Sequence, residues 1–484
     1  MTVTLTKRDA LKSMASASLM LAMPSLAATR AAGAVPTISR PSNAGQGKIF
    51  GAFLEDIDAI GYVEEEFFLG GIAEQYAPVG ELGPDGKWNV SVIGRKPYLT
   101  RMIVRRPRDP SRFNGTVIIE WNNVTVGYEL TTMATRSPSI YPDGFVYVGL
   151  SCQTIGLNGA ARNPQGLKVW DPERYGGLSI SGDSCSYDIF SQAGLALGPR
   201  KRLRGVDPLA GLKVRKVIAT GASQSAGRLR TYMNAVQPRS HAFHGFLPLI
   251  DFSIASGFDD YVYDRSIAPT GVPSPLFRLT SRVRDDLSVP VIVVTSETEV
   301  LSYRPNIQPN TDRFRLWQIA GASHAPAPIG RIQNATWVRD GMKFNNTVSG
   351  SEVDWRPSAD AAAHHLHNWM NGGPPPPVQP LVSLTTGSNP KVSRDEFGNA
   401  EGGVRLPELE APIARNVGII DTSDRLNLPG ENEPFVQATL QKLYGTPEAY
   451  RARFEAAARK AEASGVIRPW RTAEYVAAAK SVKF

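Results

Sequence analysis

The chain has 484 residues, of which 42% are apolar, and it carries 44 glycines, 37 prolines and a formal net charge of +8. A chain of this length can bury a large core, and by length alone it could hold two or three domains. The charge is mild and lies partly in the first 30 residues, and no Lys/Arg stripe interleaved with aromatic residues is present, so the composition argues against nucleic-acid binding.

The first 34 residues have the pattern of an export signal. The basic group Lys7, Arg8 and Lys12 is followed by an apolar stretch over residues 14–28 and then by small residues. Residues 1–34 are predicted to be a twin-arginine-like signal with lysine in the first arginine position, and a Sec signal is the alternative. The apolar stretch is short and broken by serines and a proline, so we expect a periplasmic or secreted protein with no membrane span.

The pattern of apolar runs predicts an α/β fold with a mostly parallel central sheet. Residues 49–106 read as a β-rich first section. Helix-length segments separate most of the later β-rich runs, which favours parallel strands with helices on both faces. The central strands are predicted at residues 116–121, 145–150, 214–220, 243–250, 290–294 and 314–319.

The chain has two cysteines, Cys152 and Cys185. In an oxidising compartment beyond the inner membrane, a disulfide between them is chemically allowed. The sequence cannot show whether the two residues lie close together, so the disulfide is left open. Neither cysteine has the surroundings of a nucleophile.

The segment Gly-Ala-Ser-Gln-Ser at residues 221–225 directly follows an apolar run and precedes a helix-like stretch. A serine between small residues on a sharp strand-to-helix turn is the arrangement of a nucleophile elbow, which exposes the serine hydroxyl above the sheet. Ser223 is the predicted nucleophile, because Gly221 and Ser225 then occupy the two small flanking positions. Ser225 is the alternative, but it loses register with the end of the strand.

A serine nucleophile needs a base, and the base needs an acid that orients it. Two carboxylates, Glu297 and Glu299, follow the strand predicted at 290–294, and His324 lies in a small-residue loop after the strand predicted at 314–319. Glu299 is preferred as the acid because it lies further beyond the strand end, and Glu297 is the alternative. The order Ser, acid, His is the order expected for this arrangement.

The other histidines point to less specific roles. His241 and His244 have the spacing of a metal-ligand pair, but no convincing third ligand lies nearby, and a protein zinc site normally needs three. We therefore predict no metal site. Three further histidines, at 364, 365 and 367, are interpreted as the solvated face of a helix.

Two segments surround this core. Residues 253–288 are long, aromatic and rich in turn formers, and they are the candidate lid between the sixth and seventh strands. The run of four prolines at 374–377 ends the predicted catalytic domain, residues 35–373. Residues 374–484 form a C-terminal extension that is expected to pack on the core, with a helix at 447–464.

The chain resembles the α/β-hydrolase superfamily, and within it a family of exported, largely uncharacterised bacterial proteins with an α/β-hydrolase domain. The resemblance covers nearly all of the chain after the leader. It rests on the stretches RFNGTVIIEWNNV (112–124), DPERYG (171–176), SYDIFSQ (186–192), GASQS (221–225) and DEFGNAEGGVRLP (395–407). Asn122 departs from the apolar residue expected at its position.

The resemblance implies an oxyanion hole made by two main-chain N–H groups. One donor is the residue after the nucleophile, here Gln224. The other comes from the loop after the strand 116–121, so Asn122 or Asn123 is expected to supply it. One such donor contributes about 3 kcal/mol to transition-state stabilisation.

Taken together, these features predict an exported serine hydrolase that cleaves a carboxylic ester or lactone without a cofactor or metal. The expected substrate is a small-molecule or oligomeric ester, since nothing points to nucleic acid or a membrane. The alternatives are an acyltransferase and a non-catalytic binding protein on a hydrolase scaffold. Fold resemblance does not identify the substrate, and the oligomeric state is not predicted.

Overall fold

A large mixed sheet runs through the computed structural model, which describes residues 35–42, 44–132, 140–161, 164–258, 279–342, 348–419 and 428–482. The strands are β1 (Thr37–Ser39), β2 (Tyr62–Val79), β3 (Asn89–Pro107), β4 (Thr116–Trp121), β5 (Val146–Leu150), β6 (Ser179–Ile180), β7 (Arg204–Gly205), β8 (Lys216–Ala222), β9 (Gly245–Leu249), β10 (Ile254–Ala255), β11 (Leu279–Thr280), β12 (Val291–Ser296), β13 (Phe314–Ile319), β14 (Ala414–Val417) and β15 (Glu431–Pro434).

Helices occupy most of the connections between these strands. The α-helices are α1 (Thr154–Asn158), α2 (Leu167–Trp170), α3 (Pro172–Tyr175), α4 (Ser186–Ala196), α5 (Gln224–Thr231), α6 (Gln237–Ser240), α7 (Val300–Tyr303), α8 (Ala327–Asp340), α9 (Arg356–Met370), α10 (Pro407–Glu410), α11 (Gln437–Tyr444), α12 (Pro447–Ala463) and α13 (Pro469–Ala479). A π-helical turn, Tyr232–Val236, continues α5.

Eleven of the described strands form the main sheet, in the order β13-β12-β9-β8-β4-β5-β3-β2-β1-β7, with β6 paired to β3. The six strands from β13 to β5 are parallel, and β3, β2 and β1 add to them in antiparallel fashion. The predicted fold class, a mostly parallel sheet with flanking helices, is confirmed.

Burial on both faces explains why the parallel strands read as continuous apolar runs. Every residue of β4 is buried, as expected where helices cover both sides of a parallel sheet. Side chains alternate between the two faces. Val117 and Ile119 therefore join one apolar cluster with α4 and α5, whereas Ile118 joins a second cluster with α9.

The predicted strand positions agree with the structure to within one or two residues at each end, and 116–121 and 314–319 agree fully. The difference that bears on the site is at the end of β8. This strand continues past Thr220 to Ala222, because its last residues still pair with β9. The strand therefore runs directly into Ser223.

The C-terminal extension, residues 374–484 and called the C-terminal segment below, contacts the main sheet at one edge. Val404 forms a parallel bridge with Ile319 of β13, and its N–H donates to Gln318 O at 2.7 Å. Residues of α11, α12 and α13, including Leu440, Phe454 and Tyr475, belong to the apolar cluster that also holds α9.

Several sequence predictions fall on residues that the structure does not describe. These include the export signal and the middle of the candidate lid, residues 259–278. The described ends of the candidate lid pair as the short antiparallel strands β10 and β11, and its function as a lid stays a prediction. Among the described residues, no helix is both long and apolar enough to cross a membrane.

Cys152 and Cys185 are both buried, and neither is part of a disulfide. The possible disulfide between them is therefore not formed in this structure. Burial, with the nearby carboxylates of Glu129 and Asp183, raises the pKa of the Cys152 thiol well above its ordinary value. A thiol in this state is a poor nucleophile.

Candidate active site

Ser223 lies at a strained turn between β8 and α5. Its backbone has φ 60° and ψ −117°, a conformation that non-glycine residues adopt at sharp functional turns. The turn needs small neighbours: a Cβ on Gly221 would lie 3.0 Å from the Cβ of Ser225. The main-chain N–H of Ser223 donates to Leu249 O at 3.0 Å, which fixes the turn to β9.

Ser223 and Ser225 have different surroundings. Ser223 is half-buried, and its Oγ lies 2.8 Å from Nε2 of His324. Ser225 is completely buried, and its Oγ lies 3.4 Å from the side-chain oxygen of Gln224. The structure therefore brings His324 to Ser223 and not to the alternative serine.

His324 is linked to Glu299 on its other side. Its Nδ1 lies 2.6 Å from Oε1 of Glu299, while Oε2 accepts from the main-chain N–H and the hydroxyl of Ser296 at 2.7 and 2.6 Å. An ionised carboxylate only accepts hydrogen bonds, so Nδ1 carries the proton and Nε2 is left to accept one from Ser223. Glu299 is fully buried and His324 is 6% exposed.

Glu297, the alternative acid, takes no part in the hydrogen bonds that link Ser223, His324 and Glu299. Its carboxylate accepts from the N–H groups of Gly321 and Gly418 at 2.8 and 3.1 Å and pairs with Arg394 at 2.7 Å. Since one carboxylate binds His324 and the other is held by Arg394, the two neighbouring glutamates have separate positions and separate partners.

The expected second oxyanion donor needs a correction. The main-chain N–H of Asn122 donates to Leu150 O at 3.1 Å, and that of Asn123 donates to Leu130 O at 3.0 Å. Both groups are therefore committed to main-chain carbonyls. The strand pairing extends past β4 through these two residues, which the sequence reading placed in the loop.

The next residue, Val124, offers an N–H group without a hydrogen-bond partner among the described residues, and Gln224 at the first position of α5 does the same. The side chain of Asn123 ties the two regions together, because its Nδ2 donates to Ala222 O at 2.9 Å and its Oδ1 accepts from Thr125 N at 2.8 Å. One amide thus fixes the Val124 loop against the residue before Ser223.

The side chain of Asn122 is turned inward. Its Nδ2 donates to Glu129 at 3.2 Å, and Glu129 in turn lies 3.5 Å from the buried guanidinium of Arg101. A polar partner at this position explains why Asn122 replaces the apolar residue that the family resemblance led us to expect.

Phe252 was missed by the sequence analysis, which ended the strand at 250 and began the candidate lid at 253. Its ring lies against the imidazole of His324, with centroids 5.0 Å apart and planes at 30°. The position could have been found from its place just after a parallel strand, where functional residues of such sheets collect.

The loop that carries Phe252 is strained and held by a buried ion pair. Ile250 has φ 43° and Ser253 has φ 62°, and positive φ is especially unfavourable for a β-branched residue. Asp251 pairs with Arg230, and both side chains are almost fully buried. Arg230 also donates to Ser281 O at 2.7 Å and to the Tyr303 hydroxyl at 3.1 Å.

A separate cavity of ≈ 200 Å³ lies at the opposite ends of the strands from Ser223. Its lining includes Lys216, His244, Pro290 and Trp369. Lys216 begins β8 and Pro290 precedes β12, so this cavity is at the amino ends of the strands whose carboxyl ends carry the site. Ser223, His324 and Glu299 are not among the residues that line this cavity.

The remaining histidines have structural contacts. His365 Nε2 bonds Gly465 O at 2.8 Å, and His367 Nδ1 lies 2.8 Å from the Thr116 hydroxyl. With His364 they are half-buried, so the interpretation of a solvated face is wrong. Within the described part of the chain, no three His, Cys, Asp or Glu side chains group as metal ligands do.

Comparison with known proteins gives the family. A family model described as "Alpha/beta hydrolase domain" matches residues 33–477. The chain belongs to this family. No curated protein matches the chain.

Solved esterases are among the similar structures. The esterase Est22 is 11% identical, with a TM-score of 0.31, over 66% of this chain and 85% of that one. A bacterial heroin esterase is also 11% identical, with a TM-score of 0.31, over 61% and 89% of the two chains. A fungal esterase from Rhizomucor miehei is 11% identical, with a TM-score of 0.30, over 56% of this chain and 82% of that one.

His244 gives a prediction for acid stability. Burial, with the charges of Lys216 and Arg200, lowers its pKa from 6.5 to about 4, and its Nδ1 accepts from Val217 N at 3.1 Å. The folded state therefore binds fewer protons than the unfolded state between these values. The stability that the neutral imidazole contributes is complete above pH 6.5 and is lost as pH falls toward 4.

We expect His244→Asn to lose less stability than the native protein between neutral and acidic pH, because asparagine can accept from Val217 without titrating. Urea unfolding at both pH values measures the difference. His241→Asn is the matched control, since His241 is exposed and has the left-handed backbone that asparagine tolerates. Equal pH dependence in His244→Asn and the native protein would contradict the prediction.

Proposed function

We propose that the protein is a serine hydrolase that cleaves a carboxylic ester or lactone through an acyl-enzyme. The single observation that carries the proposal is the hydrogen-bonded series from Ser223 Oγ through His324 to Glu299, with distances of 2.8 and 2.6 Å. The strained backbone at Ser223 supports it, because such strain is commonly retained where function requires it.

In the proposed reaction, Ser223 Oγ attacks the acyl carbon while His324 Nε2 takes the hydroxyl proton. The carbonyl oxygen becomes an oxyanion, for which the N–H groups of Gln224 and Val124 are the proposed donors. The bond to the leaving oxygen then breaks and His324 returns its proton to that oxygen. Water attacks the acyl-enzyme with His324 again as the base, which releases the acid and restores Ser223.

Glu299 has the role of orienting acid in this scheme. It keeps the proton on Nδ1 of His324 and stabilises the imidazolium that forms during attack. Phe252 covers one face of the imidazole and limits the access of water to the hydrogen bond between His324 and Glu299. The scheme needs no metal or cofactor.

Two other functions remain as outcomes of the tests. An acyltransferase would use the same acyl-enzyme but pass the acyl group to an alcohol or amine instead of water. A binding protein on a hydrolase scaffold would lack the chemistry altogether. The close approach of His324 to Ser223 favours an active nucleophile. The substrate is proposed to be a small-molecule or oligomeric ester.

We expect a fluorophosphonate probe to label the native protein and Ser225→Ala but not Ser223→Ala. Turnover of short-chain nitrophenyl esters should fall at least about 10³-fold in Ser223→Ala, because the covalent step is lost. Ser225→Ala is the matched control, since it removes the same hydroxyl two residues away. Labelling that survives in Ser223→Ala would contradict the assignment, and a native protein that is not labelled would favour the binding protein.

Replacement of the two glutamates should separate their roles. Glu299→Gln is expected to lower kcat by about 10³–10⁴-fold, because the wrong imidazole tautomer is then favoured. Glu297→Gln should lower kcat by no more than about tenfold, since this carboxylate does not touch His324. Steady-state kinetics of both variants measures the difference. The reverse order of effects would make Glu297 the acid.

We also propose that the protein is exported. The family model begins at residue 33, at the end of the segment with the features of a signal. If residues 1–34 are a leader, mass spectrometry of the protein from a periplasmic or secreted fraction should find a mature amino terminus close to residue 35. Replacement of Lys7 and Arg8 by glutamine should leave the precursor in the cytoplasm. A full-length precursor in the exported fraction would contradict this proposal.

A further inference from the structure

The C-terminal segment supplies several hydrogen-bond partners to the turn that carries Glu299. Glu297, two residues before Glu299, is fully buried. Its carboxylate accepts from Gly418 N at 3.1 Å and from Ile419 N at 3.3 Å, and Arg394 pairs with it at 2.7 Å. A buried carboxylate without such partners is strongly unfavourable, so the conformation of this turn depends on residues about 100 positions away in the sequence.

Thr298 connects the same segment to His324. Its Oγ1 accepts from the main-chain N–H of His324 at 2.9 Å and donates to Gly418 O at 2.6 Å. One hydroxyl, next to Glu299, therefore joins the base to the C-terminal segment. The carbonyl of His324 is held separately by Trp355 Nε1 at 3.3 Å.

The C-terminal segment also packs closely against the loop that carries His324. The carbonyl of Leu428 accepts from Ala325 N at 2.8 Å. A Cβ placed on Gly418 would lie 2.2 Å from Ala322 O, the carbonyl that accepts from Glu297 N at 2.9 Å. Only hydrogen fits at this position, since real Cβ contacts do not approach so closely.

The motif at residues 395–407 fixes this segment in place. Asn399 is fully buried; its Oδ1 accepts from Asn416 N at 2.7 Å and its Nδ2 donates to Ala414 O at 3.3 Å. Both partners lie in β14, which ends one residue before Gly418. Arg394, which pairs with Glu297, directly precedes the motif.

We infer that the C-terminal segment positions the acid and the base of the active site, and that Gly418 and Arg394 are the positioning residues through which it acts. The inference rests on the proposed function. Neither residue contacts Ser223, and both act through the turn at 297–299 and the loop at 322–325. The segment is therefore a part of the catalytic apparatus rather than an independent module after the proline run.

Gly418→Ala is the sharpest test, because its backbone is not in the left-handed region and the added Cβ would lie 2.2 Å from Ala322 O and 2.6 Å from the Cβ of Glu297. We expect kcat per labelled serine to fall about 10²-fold, since a displacement near 1 Å of a catalytic group has an effect of this size. KM should change little, because the contacts of Gly418 are with Ala322, Glu297 and Thr298 and not with Ser223.

Gly177→Ala is the matched control. Gly177 has an ordinary backbone conformation, and nothing lies within 4 Å of its added Cβ. Its kcat should stay within about twofold of the native value, as expected for an exposed site without contacts. Thermal unfolding of both variants identifies any loss that comes from stability alone.

Arg394→Met tests the inference without a steric change. It leaves the carboxylate of Glu297 buried without its cation, so we expect kcat to fall about tenfold further than in Glu297→Gln. The double variant Arg394→Met/Glu297→Gln should recover to the level of Glu297→Gln, because the uncompensated charge is then removed. A merely structural role would change thermal stability but not kcat per labelled serine.

A readout that needs no turnover separates this inference from the proposed function. The proton in the 2.6 Å hydrogen bond between His324 and Glu299 should give a low-field ¹H NMR signal, identified by its loss in Glu299→Gln. We expect this signal to shift or broaden in Gly418→Ala and Arg394→Met but not in Gly177→Ala. An unchanged signal and unchanged kcat in both test variants would overturn the inference. A changed signal in a protein that the fluorophosphonate does not label would overturn the proposed function alone.

Discussion

Two buried carboxylates, two residues apart, impose the main constraint on this site. A charged group removed from water must receive hydrogen bonds or an opposite charge, or it destabilises the fold. Glu299 receives its partners from Ser296 and His324, whereas Glu297 receives them from Arg394 and the C-terminal main chain. The two carboxylates therefore have separate donor sets, and the conformation of the turn satisfies both.

This arrangement determines the position of the His324 imidazole. His324 is held at its main-chain N–H by Thr298, at its carbonyl by Trp355 and at its ring by Glu299 and Phe252. A histidine with this many restraints has little freedom to leave Ser223. Such preorganisation is what general-base catalysis requires, since the reacting groups must meet in a narrow range of geometries.

Strain collects around the same residues. Ser223, Ile250 and Ser253 all have positive φ and lie at the carboxyl ends of β8 and β9. The hydrogen bond from Ser223 N to Leu249 O holds the first turn, and the buried pair of Arg230 with Asp251 holds the loop with Ile250 and Ser253. The core of the sheet on both sides provides the rigidity that lets these conformations persist.

The family resemblance and the apolar runs predicted most of the fold, because burial on both faces of a parallel sheet leaves a strong local pattern in the sequence. The elbow was also visible locally, since the steric demand of the turn selects small residues around Ser223. The order of the serine, the carboxylates and the histidine could be read because each follows a recognisable strand.

The sequence by itself therefore determined the α/β fold, the family and the short set of residues from which a triad could be built. Tertiary structure alone decided which glutamate meets His324, that the N–H groups of Asn122 and Asn123 donate to main-chain carbonyls, and that Phe252 and the C-terminal segment contact the site. The physical reason is the range of the interactions. Strand runs and turn sterics act between near neighbours in the chain, whereas the partners of a buried charge come from wherever the fold brings donors within about 3 Å.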